Sequence, residues 1–188
     1  MTEKYYKWTA PGGQAPIAPD YGYPLPVKNA DGSWTPGAWT EPVEGELEMC
    51  ANGYHVCRPT DLVNWINAEL YECEIDGDQA ACNDPKESKL CVRRIRLTRR
   101  VESWNERTAR LFAVWCARQA LALVPDPDPR SVAAVDTAER FASGRATAGE
   151  LDAAVDAARA AWAAAWATAG AAARAAQNAK LLEMIEED

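Results

Sequence analysis

The sequence predicts an α+β fold, with a small mixed sheet domain containing one helix in the first half and an all-α, Ala-rich region in the second. Two observations lead to this prediction. Apolar and polar residues alternate in short segments of the first hundred positions, which is typical of half-buried strands. Beyond residue 101 the large apolar residues follow the helical period, with many Ala residues between them. We therefore expect one domain over 1–101 and a second over 102–188.

Alternation predicts strands over residues 5–9, 54–57, 70–75 and 90–98, and a short extended piece over 47–50. Asp76-Gly77-Asp78 is predicted to turn the chain after the third of these strands. Pro59 suits the first turn of a helix that follows the second strand, because the N–H that proline lacks has no partner there. The segment between residues 11 and 42 carries seven prolines, which exclude a helix and a central strand.

Three to four helices are predicted for the second half. The first begins at a capping box, Ser103 with Glu106, and the second runs from about residue 129 to a terminal Gly144. The third begins at another capping box, residues 147–150, and extends to about residue 187. Because so long a helix would span roughly 60 Å, we expect a break near Gly170.

The net charge of -8 disfavours bulk binding to nucleic acid or to anionic membranes, both of which depend on positive patches. The first residues lack the apolar core of a signal peptide, and no uncharged apolar run reaches the roughly 18 residues of a bilayer span. These features predict a cytoplasmic protein inside the host cell. In that compartment the six cysteines are expected to be reduced thiols.

One candidate site surrounds His55, the only histidine, which lies between Cys50 and Cys57. Thiolate and imidazole are the ligands that zinc prefers, so one hypothesis is a zinc ion held by these three residues and one later cysteine. The spacing is irregular, however, and the sequence has no Cys-x-x-Cys pair. We therefore favour the alternative that the thiols pack as small apolar groups, and we expect no cofactor.

A second hypothesis for the same place is an anion-binding site. His55 precedes the predicted helix, whose N-terminal N–H groups attract anions. Arg94 and Arg96 lie on one face of the last predicted strand and suit a phosphate or a carboxylate. The alternatives are that His55 bridges the turn by hydrogen bonds, and that the arginines pair with acidic side chains.

Two segments carry a resemblance to a known group of proteins. Residues 50–59 read Cys-Ala-Asn-Gly-Tyr-His-Val-Cys-Arg-Pro, and residues 104–112 read Trp-Asn-Glu-Arg-Thr-Ala-Arg-Leu-Phe. The combination resembles uncharacterised proteins of actinobacteria and their phages, which share a Cys-x-x-Gly-(Phe/Tyr/Ile)-His-x-Cys signature and an Ala-, Arg- and Trp-rich helical tail. The resemblance covers about residues 43–125 and implies a phage or prophage origin, with no established activity.

Three functions stay open at this point. The first is a phage accessory protein that acts as an intracellular binding module for a host or phage protein, with the helical tail suited to partner helices. The second is a binder or enzyme for a nucleotide-like or anionic small molecule, with a site around His55, Arg94 and Arg96. The third is a virion or assembly component. No phosphate loop, Ser–His–Asp order or paired-carboxylate motif is present, which argues against an enzyme.

Overall fold

The computed structural model describes residues 3–18, 20–82, 88–155 and 171–186, and their fold is α+β, as the sequence predicts. The chain divides into two compact units. The first contains the described residues up to Trp104 together with 181–186, and the second contains those between 105 and 180. The predicted boundary at 101 lies close to this division, but the end of the last helix belongs to the first unit. There Leu181 and Ile185 are buried.

The first unit is built on a four-stranded antiparallel sheet with the order β1-β5-β6-β4. A hairpin of two very short strands lies outside it. The strands are β1 (Tyr5–Thr9), β2 (Val27–Lys28), β3 (Trp34–Thr35), β4 (Tyr54–Val56), β5 (Glu69–Cys82) and β6 (Lys89–Arg100). Tyr6 and Cys57 exchange both backbone N–H···O bonds, at 2.9 and 2.8 Å, so the two edges of the sheet meet.

The strands form where the sequence alternates or is continuously apolar. Val56 of β4 and Val92, Ile95 and Leu97 of β6 are at most 1 % exposed and belong to one buried apolar cluster, which forms the core of the sheet. Burying side chains of this size contributes about 1.5–3 kcal/mol each, which is the main term that holds the sheet together. Trp8 of β1 lies opposite Leu70 of β5 in the register of these two strands.

The proline-rich segment lies along β6 beyond the end of β4. Gly37, Thr40 and Val43 donate their backbone N–H groups to carbonyl oxygens of β6, at 2.9–3.1 Å. The segment therefore satisfies the free edge of β6 without continuous strand pairing, which proline prevents. Among its described residues there is no α-helix and no strand of the main sheet, as predicted, but Pro11–Gly13 form a 3-10 helix and the two strands of the small hairpin lie here.

Two predicted features of the first unit are wrong. The Asp76-Gly77-Asp78 sequence does not turn the chain but forms an irregularity inside β5, where the register shifts between Asp76 and Gln79. Gly77 has φ 84°, a conformation that bulges and turns share, and this is why the sequence pattern misleads. The piece at 47–50 is a turn rather than an extended strand, closed by paired backbone bonds between Glu48 and Asn52.

The helix predicted at Pro59 is also different, because it is a six-residue 3-10 helix, Pro59–Asn64. Proline stands at its first position, as expected. Its first turn is closed by its own side chain: Asp61 accepts hydrogen bonds from the backbone N–H and Nε of Arg58. A carboxylate of the chain therefore already lies at this helix N-terminus, and the anion site predicted there stays a prediction.

The helices are α1 (Glu106–Leu121), α2 (Pro129–Ala142), α3 over residues 148–155 and α4 (Ala171–Glu186). The N-cap of α1 is Asn105, whose side chain accepts the N–H of Thr108, and not the predicted Ser103. The capping box over residues 147–150 and the terminal Gly144 are confirmed. The predicted break at Gly170 lies outside the described residues.

Within the second unit, α1 and α2 pack through apolar residues, among which Phe112, Ala134 and Val135 are buried. The guanidinium of Arg118 on α1 joins Asp136 and Glu139 of α2. Across the described ranges, none of the helices combines the length and the hydropathy that a bilayer crossing requires.

Candidate functional site

The first unit contains a pocket of about 510 Å³ beside β1 and β4. Its walls come from both strands, from the proline-rich segment, from the residues after the 3-10 helix and from the start of β6. The volume lies within the range of about 300–1,000 Å³ that is common for small-molecule sites. Ile17 and Ile66, which are exposed, stand among the lining residues.

Two lysines line this pocket, and both are buried: Lys7 is 8 % exposed and Lys89 is 5 % exposed. The Nζ atom of Lys7 donates to the carbonyl oxygen of His55 at 2.7 Å. It also lies 5.0 Å from the centre of the Tyr23 ring. Neither lysine forms a salt bridge with a carboxylate of the described residues.

Lys89, the first residue of β6, lines the same pocket. Its Nζ atom lies 3.9 Å from the centre of the Trp65 ring and 3.2 Å from the Sγ atom of Cys50. Both lysine ammonium groups thus rest on an aromatic face, an arrangement that compensates only part of the cost of removing a charge from water. Burial, with a smaller contribution from the charge of Lys89, lowers the pKa of Lys7 to about 8, although the nearby Cys57 and Cys73 act in the opposite direction.

His55 lines the pocket and also bridges the preceding loop. Its Nε2 atom accepts the backbone N–H of Cys50 at 3.1 Å. Burial, followed by the charges of Lys7 and Lys89, lowers the pKa of His55 to about 4. The imidazole is therefore neutral at pH 7 and acts as a hydrogen-bond acceptor, which is the bridging role that the sequence left open.

The three predicted metal ligands have different surroundings. Cys50 is exposed, whereas Cys57 is buried, and burial raises the pKa of the Cys57 thiol to about 12. All six cysteines are free thiols. In the part of the chain that the structure describes, no group of three or more His, Cys, Asp or Glu side chains is placed to hold a metal ion. Zinc at Cys50, His55 and Cys57 stays a prediction.

Arg94 and Arg96 lie on the exposed face of β6 and not at the pocket. Arg94 pairs with Asp76 and Arg96 with Glu74, each at 2.6 Å. Both guanidinium groups stack on Trp39, at 4.9 and 5.0 Å from its ring centre. The structure therefore does not bring these arginines to His55, and it gives them the acidic partners that were the alternative.

Three tyrosines form the aromatic wall of the pocket: Tyr21, Tyr23 and Tyr54, with ring centres 5.0–6.3 Å apart. The hydroxyl of Tyr21 donates to that of Tyr54 at 3.3 Å. Burial raises the pKa of Tyr21 and Tyr23, so these phenols stay protonated and act as neutral hydrogen-bonding groups.

Sequence reasoning missed Lys7, Lys89 and these tyrosines. A signal for Lys7 does exist, because a lysine within the aromatic strand Tyr5–Thr9 is unusual for a residue type that rarely lies in a core. Tyr21 and Tyr23 lie in the proline-rich segment, where no periodic pattern shows which side chains face inward.

The arrangement combines two buried positive charges with aromatic walls, and no Asp or Glu of the described residues lines it. Such a pocket suits a small anion with a flat ring. Comparisons of the chain with protein-family models, with curated proteins and with solved structures find no match.

Proposed function

We propose that the first unit binds a small, nucleotide-like anion that carries a planar ring, in the pocket between Lys7 and Lys89. The observation that carries this proposal is the pair of buried lysines in one pocket, without a carboxylate partner among the described residues.

The cost of burying two ammonium groups indicates that the ligand is an anion. Removing an ion from water costs several kcal/mol unless an opposite charge lies nearby. The cation–π contacts of Lys7 with Tyr23 and of Lys89 with Trp65 offset only a part of this cost, on the order of 1–2 kcal/mol each. A phosphate or carboxylate supplies the missing partner. The whole chain carries a charge of -8, so the two lysines make this pocket a locally positive region that attracts anions.

The aromatic residues that line the pocket indicate that the ligand carries a planar ring. Trp65, Tyr23 and Tyr54 present aromatic faces or edges to the pocket, against which a planar ring packs in an offset or edge-to-face manner. The volume of about 510 Å³ fits one such molecule and excludes a folded macromolecule. The neutral phenols and the neutral imidazole of His55 add hydrogen bonds that orient it.

Isothermal titration of the full chain with pyridoxine 5′-phosphate and with adenosine 5′-monophosphate tests the proposal. We expect saturable binding of at least one of these probes, weakened about tenfold or more in Lys7→Met and in Lys89→Met. The matched control is Lys28→Met, since Lys28 is exposed and pairs with Glu102. Thermal unfolding of each variant confirms that it folds.

The proposal is wrong if neither probe saturates up to about 1 mM, or if the two pocket variants bind as the unaltered protein does.

The hypotheses of a phage accessory protein and of a virion component stay predictions from the sequence. They concern the helical tail and its partners, and they are compatible with a ligand site in the first unit.

A further inference from the structure

We propose that Lys7 binds its ligand covalently, as an imine with an aldehyde or ketone group of the bound anion. The inference rests on the proposed function and names the substrate class of the same pocket: a carbonyl compound with a planar ring and an anionic group.

The reaction needs only the amine and the carbonyl compound. The neutral Nζ atom of Lys7 attacks the carbonyl carbon, and a proton passes from nitrogen to oxygen to give a carbinolamine. The hydroxyl then leaves as water while nitrogen loses its second proton, which leaves a C=N bond. Atoms and charge balance as one amine and one carbonyl giving one imine and one water, so no oxidant or reductant takes part.

The geometry favours Lys7 for this role. Lys7 lines the pocket, and its Nζ atom contacts the carbonyl oxygen of His55 and the face of Tyr23. A carboxylate would keep the amine protonated, and Lys7 contacts none among the described residues. Lys89, by contrast, is engaged by the Trp65 ring at 3.9 Å and by Cys50, and we assign it the anionic group of the ligand.

The side chains that face Lys7 also include no carboxylate among the described residues, so no ion pair blocks its approach to a carbonyl group. The titratable groups that face it are the thiols of Cys57 and Cys73, the ammonium of Lys89, the imidazole of His55 and the phenol of Tyr23.

Reductive trapping tests the inference. The full chain is incubated at pH 7 with pyridoxal 5′-phosphate and cyanoborohydride, which reduces an imine to a stable secondary amine, and the adducts are located by peptide mass spectrometry. We expect labelling at Lys7 to exceed that at the exposed Lys4 and Lys28 by at least about tenfold. Pyridoxine 5′-phosphate, which lacks the aldehyde, should suppress it, and Lys7→Arg should abolish it.

The outcomes separate this inference from the proposed function. If pyridoxine 5′-phosphate binds in the calorimeter but the label spreads evenly over exposed lysines, the imine is wrong and the binding site stands. If neither compound binds and no lysine is preferred, both are wrong. Because the labelling is mapped on the unaltered protein, the result does not depend on whether the Lys7 variants fold.

Discussion

The sulfur of Cys91 lies against Gly53, so closely that a Cβ atom at position 53 would stand 2.3 Å from Sγ. Cys91 is fully buried in β6, and its Sγ also lies 3.4 Å from the carbonyl oxygen of Asn52. Gly53 has φ 140°, which side-chain-bearing residues rarely adopt. The glycine of the Cys-x-x-Gly-Tyr-His-x-Cys segment is therefore explained by packing on a cysteine outside that segment.

Gly53→Ala should lower the free energy of unfolding by about 2–4 kcal/mol, because it adds a close contact to an unfavourable backbone conformation. Urea denaturation followed by circular dichroism measures this change. The matched control is Gly32→Ala, where φ is 85° but no atom lies within 4 Å of the new Cβ, and where a loss of about 1–2 kcal/mol is expected. Equal losses at the two positions would contradict the packing explanation.

Acid should lower the free energy of unfolding because His55 is held neutral in the folded chain. The pKa of His55 is about 4 in the folded chain and 6.5 ordinarily, so below pH 6.5 the unfolded chain takes up a proton that the folded chain excludes. Between pH 7 and pH 4 this removes about 2 kcal/mol of stability, after allowance for the solvent that reaches the ring. His55→Gln should remove this part of the pH dependence. Parallel pH–stability curves for the two proteins would show that His55 is not held neutral.

Asp61 is expected to be a structural anchor of the pocket wall. Its carboxylate is 2 % exposed and accepts hydrogen bonds from Arg58 and from the Ser88 hydroxyl, at 2.8–3.1 Å. Asp61→Ala leaves these donors without a partner and should cost about 3 kcal/mol in chemical denaturation. The exposed Glu44 provides the comparison, since Glu44→Ala should leave the midpoint nearly unchanged. A loss below about 1 kcal/mol for Asp61→Ala would show that this network is not stabilising.

The exposed arginines should be dispensable for the pocket. Arg96→Met removes an exposed ion pair and a contact with Trp39, so the free energy of unfolding should change by no more than about 1 kcal/mol. The affinity for pyridoxine 5′-phosphate in the calorimeter should stay the same. A marked loss of affinity would show that Arg94 and Arg96 take part in binding, and it would contradict the assignment of the site to Lys7 and Lys89.

Much of the fold could be predicted from local patterns. Alternation predicts the strands over 5–9, 70–75 and 90–98 because it survives in a half-buried sheet, and Gly144 is predictable because a helix end favours glycine. The sequence also placed His55 at the site. What local patterns missed are features fixed by tertiary contacts, such as the irregularity at Gly77 and the end of the last helix beside Ser103.

The candidate site was harder to predict, since its charge comes from residues far apart in the chain. Lys7 and Lys89 meet only because β1 and β6 belong to one curled sheet, whose edges join at Tyr6 and Cys57. The cluster at Arg94 and Arg96 was more visible in the sequence, but cross-strand pairing with β5 neutralises it. Proximity in the sequence therefore points to the two arginines, whereas the pocket is lined by the two lysines.

A crystal structure of the protein with pyridoxine 5′-phosphate tests the central claim most directly. The account predicts that the phosphate lies within hydrogen-bond distance of Lys89 Nζ, with the pyridine ring in the pocket beside Lys7. A phosphate bound at Arg94 and Arg96, or a pocket that stays empty while the calorimeter reports saturation, would contradict it.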